Sequence, residues 1–579
     1  MDSGQYHFLR FFIWLFFDMI VCDMKKITLA ALGARFSHSS LALLCLKHAA
    51  FDKQAVTTKE YNINDSVMDI AADIIAGQPD AVGFSCYIWN IEHVVKIASV
   101  VKSVLPRCLI VLGGPEVSFD CDELLSRWPF ADVIICGPGE APFAHLTKCL
   151  AEGQSIAAMP SAYIRTPEGV IRTPKAEPCK LADQPFLYDN LSAFDNKMIY
   201  YETSRGCPFR CAYCMSAGEA LDFMPVERVK TDLEFFLRAD VQQVKLVDRT
   251  FNHPDVRARE IWAALIAIKE KYPHSRTNFH FEVSASLLSE ETIRLLAAAP
   301  QGLIQLEIGI QSTHDDTLSA VNRAHDTGKL LRNTAVLCGL KNLRVYVDLI
   351  AGLPMETMAT VARSFDDAYQ LCPDKLQLGF LKLLRGSHMR KDADKYGIVY
   401  TRHAPYEVLK TDTTNYAELR HLHRVEQVLD MLYNEKQALK TLALLIPLYG
   451  SPFAFFDGFT HHLEDAGYFD RPQKKQAVFE QLLCFAAPQT DKERLVEALG
   501  YDWLCLGKPG GWPDEICIPT RSLRDLPEGL PQDMSWRDAG RRYVLAAFSR
   551  LLEEPAWLLF DYAKPRDDDE YVKIIKTLP

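Results

Sequence analysis

At 579 residues the chain is too long for a single hydrophobic core, and 48% hydrophobic with 24% charged residues excludes long disorder. A net charge of −11 excludes a broad nucleic-acid footprint, which needs clustered Lys and Arg, and leaves room only for a local basic cleft. Sixteen cysteines spread over this length do not make the disulfide framework of a small secreted domain; they read as mostly reduced core thiols of a cytoplasmic protein.

The first element is an apolar run from Phe8 to Cys22, broken by Arg10 and Asp18. It is short for a transmembrane span of roughly 20 residues and lacks a small-residue cleavage site. Met24-Lys25-Lys26-Ile27 follows as a natural start, so residues 1–23 read as an upstream start-site artefact or a dispensable tail, with a peripheral membrane anchor as the other reading.

Residues 24–152 alternate strand runs with helical patterns: Ile27–Leu32, Thr57–Tyr61, Ala81–Cys86, Leu109–Gly113 and Asp132–Cys136. That order implies βαβ units, a parallel sheet and a flavodoxin-like (Rossmann-type) α/β domain. Residues 153–194 read as a linker with a small hairpin at Pro167-Glu168-Gly169. Residues 195–390 carry six strand runs, Met198–Thr203, Val244–Asp248, Phe279–Val283, Ile304–Ile310, Val345–Ile350 and Leu376–Phe380, a partial (β/α)6 barrel. Helices are expected between them at Val226–Leu237 and Met355–Leu371. Residues 391–579 read as mostly α, with long helical stretches at Tyr416–Leu445 and Gln473–Cys484. The aromatic stretch Tyr449–Gly458 either lines a pocket or packs on the barrel.

Three thiols fall within eight residues at Cys207, Cys211 and Cys214, directly after the first strand of the second series. Loops at the carboxyl ends of barrel strands carry the chemistry of such folds. Thiolates select zinc or iron–sulfur clusters. A closed zinc site takes four ligands, and no fourth Cys or His stands at the usual spacing. A [4Fe–4S] cluster on three cysteines leaves one iron open to chelate a substrate.

The C-x3-C-x2-C spacing in Gly206-Cys207-Pro208-Phe209-Arg210-Cys211-Ala212-Tyr213-Cys214 resembles the radical S-adenosylmethionine superfamily. The resemblance implies a [4Fe–4S] cluster on the three cysteines and S-adenosyl-L-methionine chelated to the open iron, cleaved to a 5′-deoxyadenosyl radical. It covers roughly residues 195–390 and assigns cofactor contacts to Tyr213, to Asp248 and Arg249 on the second strand and loop, and to Glu282 on the third strand. Gln311 on the fourth strand and Gly352 after the fifth complete that set. Independently, Glu282 and Asp348 sit among apolar strand neighbours, where a carboxylate is costly to bury alone, so they point to a polar barrel interior or to structural ion pairs.

In the first domain the strand ends carry Gly33 to His38, Ser85 to Asn90, Gly113-Gly114-Pro115-Glu116 and Gly137-Pro138-Gly139-Glu140. Doubly wound sheets bind ligands there, and the glycines allow close backbone approach; by themselves these loops fit a nucleotide, a flavin, cobalamin or nothing. Their placement directly before the barrel resembles the cobalamin-binding domain of cobalamin-dependent radical enzymes, which implies cobalamin held near Ser85, Gly113, Gly114, Gly137, Gly139 and Glu140. The chain departs from that pattern in lacking the Asp-x-His-x-x-Gly motif and in carrying Pro138 where relatives usually have Glu. His38 lies in the loop for an axial ligand and also fits a cap or polar loop role. The region from Thr401 onward resembles the helical C-terminal extension, of unknown role, of one subgroup of these proteins.

Three functions follow. The first is a cobalamin-dependent radical methyltransferase acting on an unactivated carbon of a small molecule. The second is a radical enzyme performing a rearrangement or oxidation without methylation, and the third is a non-catalytic sensor using its cluster and cobalamin. The resemblance implies an external electron donor such as flavodoxin or ferredoxin; no nucleic-acid partner and no integral membrane association are expected.

Overall fold

The computed structural model describes residues 25–188, 190–323, 326–521, 536–562 and 573–577. The apolar residues 1–23 lie outside them, so their reading as an artefact, a tail or an anchor is not addressed by the structure.

The first domain is a sheet of strands β1 (Ile27–Gly33), β2 (Val56–Asn62), β3 (Ala81–Ser85), β4 (Leu109–Gly113) and β5 (Val133–Ile135) in the parallel order β2-β1-β3-β4-β5. This is the doubly wound flavodoxin-like order, which reverses between β1 and β3. The central strand β1 is apolar and buried from Ile27 to Leu32, as a strand covered on both faces must be. β2, Val-Thr-Thr-Lys-Glu-Tyr-Asn, is polar and sits at the edge. One face of the sheet packs Ile70, Ile74, Val94, Ile97 and Leu124; the other packs Leu43, Phe143 and Leu146.

The hairpin expected at 167–169 forms as β6 (Ala162–Thr166) and β7 (Gly169–Arg172). It pairs antiparallel with β5 through Val133 opposite Ile164, so residues 162–172 extend the first sheet and are not a free linker. The buried Ala162 and Ile164 supply the apolar face that holds it there.

After β8 (Ile199–Tyr201) comes a short hairpin, β9 (Ser204–Cys207) and β10 (Glu219–Phe223). The remaining barrel strands are β11 (Gln243–Leu246), β12 (Asn278–Val283), β13 (Ile304–Gln311), β14 (Arg344–Ala351) and β15 (Lys375–Phe380). Six strands lie side by side in the order β8-β11-β12-β13-β14-β15, all parallel, an open (β/α)6 barrel. Along each strand the alternation has period two. Val244, Phe279, Phe281, Leu306, Ile308, Val345 and Val347 are buried. The alternate positions Lys245, His280, Glu282, Glu307, Gly309, Gln311 and Asp348 fall together on the other face, which is the barrel interior. The acidic strand residues therefore belong to a polar lumen.

The C-terminal region shares one hydrophobic core with the barrel. The expected helix across 416–445 is in fact two, Tyr416–Leu429 and Leu439–Leu445, separated by a wide turn at Asp430–Asn434 and Lys436 with φ 55°. The aromatic run of Tyr449–Gly458 packs: Phe455, Phe456 and Phe459 of helix Pro452–Asp465 are fully buried. A further correction concerns the end of the chain, where Thr520–Arg521, Tyr543–Phe548, Ala556–Asp561 and Lys573–Thr577 form an antiparallel sheet over Leu504 and Ile518. Its strands alternate weakly and stand far apart in sequence, so they carry little local signal. Among the described residues no single helix is long and apolar enough to cross a membrane.

Candidate functional site

The cysteine loop is fastened from below. Asp248, with no exposed surface, accepts from the Thr203 backbone N–H (2.9 Å), the Thr203 hydroxyl (2.5 Å) and the Ser204 hydroxyl (2.6 Å). Gly206 has φ +90°, and a Cβ there would stand 2.2 Å from the Ala220 carbonyl oxygen, so only glycine lets β9 approach β10. Cys207 and Cys211 are buried and Cys214 is half-buried. Burial pushes the Cys214 thiol up, while the Ser216 backbone and the Arg249 guanidinium pull it down.

Three thiols carried by one loop, Cys207, Cys211 and Cys214, are a donor set that fits three irons of a [4Fe–4S] cluster and leaves the fourth open. Arg323 closes the back of this loop. It donates to Cys211 Sγ (3.5 Å), the Tyr213 hydroxyl (3.3 Å) and the Gly309 carbonyl (2.6 Å).

Beneath the loop opens a cavity of about 370 Å³ lined by Cys211, Arg249, Glu282, Glu307, Gln311 and Asp348 among others. Lys245 Nζ reaches Glu307 (3.0 Å) and Glu282 (3.6 Å), and His280 Nε2 meets Glu307 at 2.7 Å. Burial raises Glu307, but the His280 bond and the Lys245 charge prevail and hold it at about 2. Burial raises Asp348 to about 7, assisted by the Glu307 charge and opposed by the Gln377 amide, which donates at 2.5 Å. Two polar atoms facing this region, Gln311 Oε1 and Arg323 Nε, are buried without a partner. Such atoms cost about 1–3 kcal/mol each unless a ligand or water meets them. The cavity's charges and orphaned groups therefore fit a polar cofactor carrying hydroxyl, amino and carboxylate groups.

Asp348 also makes stability depend on pH. Its folded value of about 7 lies above its ordinary 3.8, so its contribution is full below that ordinary value and is lost as pH rises through 7. The Asp348→Asn variant is expected to unfold at higher temperature than the parent at pH 8 and to exceed it by only a small part of that margin at pH 4.5, just above the ordinary value. The gain should be about 1–2 kcal/mol, since water in an open cavity screens part of the cost. Thermal unfolding of the cofactor-free chain at the two pH values reads this out, and equal gains at both would remove Asp348 as the cause.

The first sheet presents its carboxyl-end loops to the barrel mouth. His38 pairs with Met198 as an isolated β-bridge and its Nδ1 lies 3.1 Å from the Tyr200 hydroxyl. Lys197 meets Glu60 at 2.6 Å, and Arg205 joins Glu140 (2.9 Å) to Glu202 (2.8 Å). On the far side Arg385, 6% exposed, meets Glu116 (3.4 Å) and Asp120 (3.0 Å), and Tyr406 donates its hydroxyl to Glu116. Within this junction the loop after β3 stacks Tyr87 on Trp89 with ring centroids 4.4 Å apart, and Trp89 stays 45% exposed. Arg249 of the barrel lies close enough to lower the Tyr87 hydroxyl, which burial raises.

Ser85 Oγ is buried without a partner at the end of β3. Gly114 has φ +114°, and a Cβ there would stand 2.6 Å from the Cys86 carbonyl oxygen. Gly137, at φ +76°, has open space around its Cα. An exposed aromatic and an orphaned hydroxyl at the end of β3, beside side-chain-free backbone after β4 and β5, fit a large, flat, amide-rimmed group such as cobalamin. His38 meets the Tyr200 hydroxyl through Nδ1.

The structure brings Cys211, Arg249, Glu282 and Gln311 to one cavity, with Cys207 and Cys214 on the same loop. Four expected contacts are placed elsewhere. Asp248 spends its carboxylate on the loop that carries the cysteines. Tyr213 turns into the core and accepts from Arg323. Gly352, at φ +82°, lies under Leu419 and Val408 of the C-terminal region. Glu140 accepts from Arg205 and Gln184 and ties the two domains together. Sequence reasoning missed Arg323, which lies 112 residues from Cys211 after Asn322, a residue at φ 52°; no local motif announces it.

Comparison with known proteins agrees with this geometry. The B12 binding domain model matches residues 28–147, the Radical SAM superfamily model 201–368, and a protein family of unknown function, DUF4080, residues 394–535. The cobalamin-dependent radical SAM methyltransferase TokK of Streptomyces tokunonensis is 28% identical over 326 residues, 52% of this chain and 45% of that protein. The 2-(S-pantetheinyl)-carbapenam-3-carboxylate methyltransferase of Streptantibioticus cattleyicolor is 27% identical over 52% of this chain and 46% of its own length. The chain thus spans about half the length of the curated relatives it matches.

Among solved structures, the radical S-adenosylmethionine methyltransferase TsrM of Kitasatospora setae superposes with a TM-score of 0.54 at 18% identity, over 65% of this chain and 77% of that one. The cobalamin-dependent radical enzyme OxsB, with aqua-cobalamin and S-adenosylmethionine bound, gives 0.56 at 14% identity over 84% and 79%. Both share the fold. Residues 28–147 thus carry a B12 binding domain and residues 201–368 a Radical SAM domain, in that order along the chain.

Proposed function

We propose that this chain is a cobalamin-dependent radical S-adenosylmethionine methyltransferase acting on an unactivated carbon of a small molecule. The observation that supports the reading is the junction itself: Glu140, Glu116 and Asp120 of the first-domain loops pair with Arg205 and Arg385 of the barrel region, and Arg249, which lines the cavity, acts on Tyr87 of the loop after β3. The two curated relatives, a cobalamin-dependent radical SAM methyltransferase and a 2-(S-pantetheinyl)-carbapenam-3-carboxylate methyltransferase, support it.

In this reading Cys207, Cys211 and Cys214 hold the cluster. Arg249, Glu282 and Gln311 face S-adenosylmethionine, and Ser85, Gly113, Gly114, Gly137 and Gly139 border cobalamin. When bound, the cluster and S-adenosylmethionine supply a carbon-centred radical that removes substrate hydrogen, and cobalamin supplies the methyl group. The chain's own residues orient and insulate. Lys245 and His280 keep Glu307 ionised, so the lumen holds a fixed ion pair whose carboxylate can accept from hydroxyl or amino groups. Arg323 sets a cation against Cys211 and holds the loop's shape. A flavodoxin- or ferredoxin-class donor would supply electrons in a reducing compartment, consistent with the fifteen described cysteines all being free thiols.

The test is methyl-labelled S-adenosylmethionine with reductant, reconstituted enzyme and candidate metabolite extracts. Label in a product together with 5′-deoxyadenosine and S-adenosylhomocysteine is the expected result. An altered but unlabelled product would replace methylation by rearrangement or oxidation. A cluster-replete, cobalamin-loaded protein that forms no 5′-deoxyadenosine would replace catalysis by sensing.

A further inference from the structure

Away from the barrel mouth, two helices of the C-terminal region face each other with metal-ligating side chains. Asp457, His461 and Glu464 occupy positions i, i+4 and i+7 of helix Pro452–Asp465 and so share one face. Opposite them His421 projects from helix Tyr416–Leu429. One ring nitrogen of His421, one of His461 and one oxygen of Asp457 lie within 4.8 Å of one another. Among the described residues no other group of three His, Cys, Asp or Glu ligand atoms converges so closely.

The surroundings preset the ligands. His421 Nδ1 lies 3.2 Å from Glu464 Oε2, and His421 Nε2 lies 2.9 Å from Asp457 Oδ1. A proton kept on Nδ1 by Glu464 leaves Nε2 and Asp457 to share one cation, the carboxylate–histidine–metal arrangement of natural sites. His461 Nδ1 is 3.0 Å from the Asp457 backbone carbonyl and 3.8 Å from Asp457 Oδ2, which holds the ring against the carboxylate with which it would share a cation. The two rings lie 4.0 Å apart between centroids. The two carboxylates balance a dication when both rings are neutral. His421 is 11% exposed, whereas the His461 side chain is 60% exposed, so ions have a path in from solvent.

We propose that His421, Asp457 and His461, backed by Glu464, form a site for a divalent transition metal of the zinc class, which clasps helix 416–429 to helix 452–465. Two imidazoles and a carboxylate suit zinc better than calcium or magnesium, which take oxygen ligands. Three protein ligands leave a fourth position toward solvent. Helix 416–429 also stacks His423 on Phe380 of β15 and joins it to Glu407, so the clasp bears on the seat of the C-terminal region against the barrel. The site is independent of the methyl-transfer reading, and neither depends on the other's outcome.

The probe is Zn²⁺ alone, titrated into the full-length chain with its cluster reconstituted, against a chromophoric chelator, with the zinc environment read by X-ray absorption. The wild type is expected to take up one equivalent with nitrogen and oxygen ligands at about 2.0–2.1 Å. His461→Ala, whose exposed ring the fold does not need, and the near-isosteric Asp457→Asn should each weaken binding at least tenfold. The triple variant Cys207→Ala/Cys211→Ala/Cys214→Ala should keep the site. Unchanged affinity in both His461→Ala and Asp457→Asn, a sulfur shell near 2.3 Å, or no stoichiometric uptake by the wild type would overturn the proposal. The last result would leave His421 as an imidazolium held between two carboxylates.

Discussion

Alanine at Cys207, Cys211 or Cys214 is expected to abolish the stable [4Fe–4S] centre. Each thiolate holds a different iron, so losing one strands that iron and opens a second corner of the cluster. Iron should fall from about four per chain to a trace in the triple variant. The visible charge-transfer absorbance and the reduced-state electron paramagnetic signal perturbed by S-adenosylmethionine should go with it. The fold should survive, because Cys207 and Cys211 are small buried groups whose truncation typically costs about 1 kcal/mol. A control lies in the first domain, where Cys121 and Cys136 approach to 3.1 Å between sulfurs. Alanine at that pair should leave iron content unchanged. Full iron in the cysteine-loop triple variant would remove the cluster from this site.

The elements most legible in the sequence were those with strong period-two or continuous apolar patterns. All eleven strands expected between Ile27 and Phe380 form, within about two residues at each end. The barrel interior was legible for the same reason: a carboxylate at Glu282 or Asp348 between buried apolar neighbours has to face a polar space. What sequence reading placed poorly were contacts made across long loops. Asp248 stands beside Arg249, yet their side chains serve different ends, one locking Thr203 and Ser204, the other facing the cavity. Both lie in the loop after β11, where the backbone turns and sends adjacent side chains to opposite sides, and a motif read as a block joins them. Arg323 escaped because its partners, Cys211 and Gly309, come from two other segments. The pairing of the expected hairpin 162–172 with β5 and the C-terminal sheet escaped because short antiparallel strands acquire their meaning from the partner strand, not from their own pattern.

Gly114 is where the first domain should be most sensitive. An alanine Cβ would press on the Cys86 carbonyl oxygen at 2.6 Å and the Cys86 nitrogen at 3.0 Å, both backbone atoms of the adjacent loop, at φ +114°, which L residues rarely adopt. The strain should cost about 2–4 kcal/mol and displace the 85–90 loop that carries Ser85, Tyr87 and Trp89. Gly114→Ala is therefore expected to purify without cobalamin and to weaken cobalamin binding at least a hundredfold. Its cluster should still assemble, because the cysteine loop rests on the barrel's own core. Gly137→Ala is the companion variant: φ is +76° but nothing stands within 4 Å of the added Cβ, so the fold should lose only about 1 kcal/mol. Cobalamin loss in Gly137→Ala with normal unfolding would then place the ligand against this turn directly, apart from any general damage to the domain. Equilibrium binding of hydroxocobalamin, followed by its visible spectrum alongside thermal unfolding, measures both effects. Stoichiometric cobalamin binding of undiminished affinity in both variants would move the ligand away from the loops after β4 and β5 and refute the site.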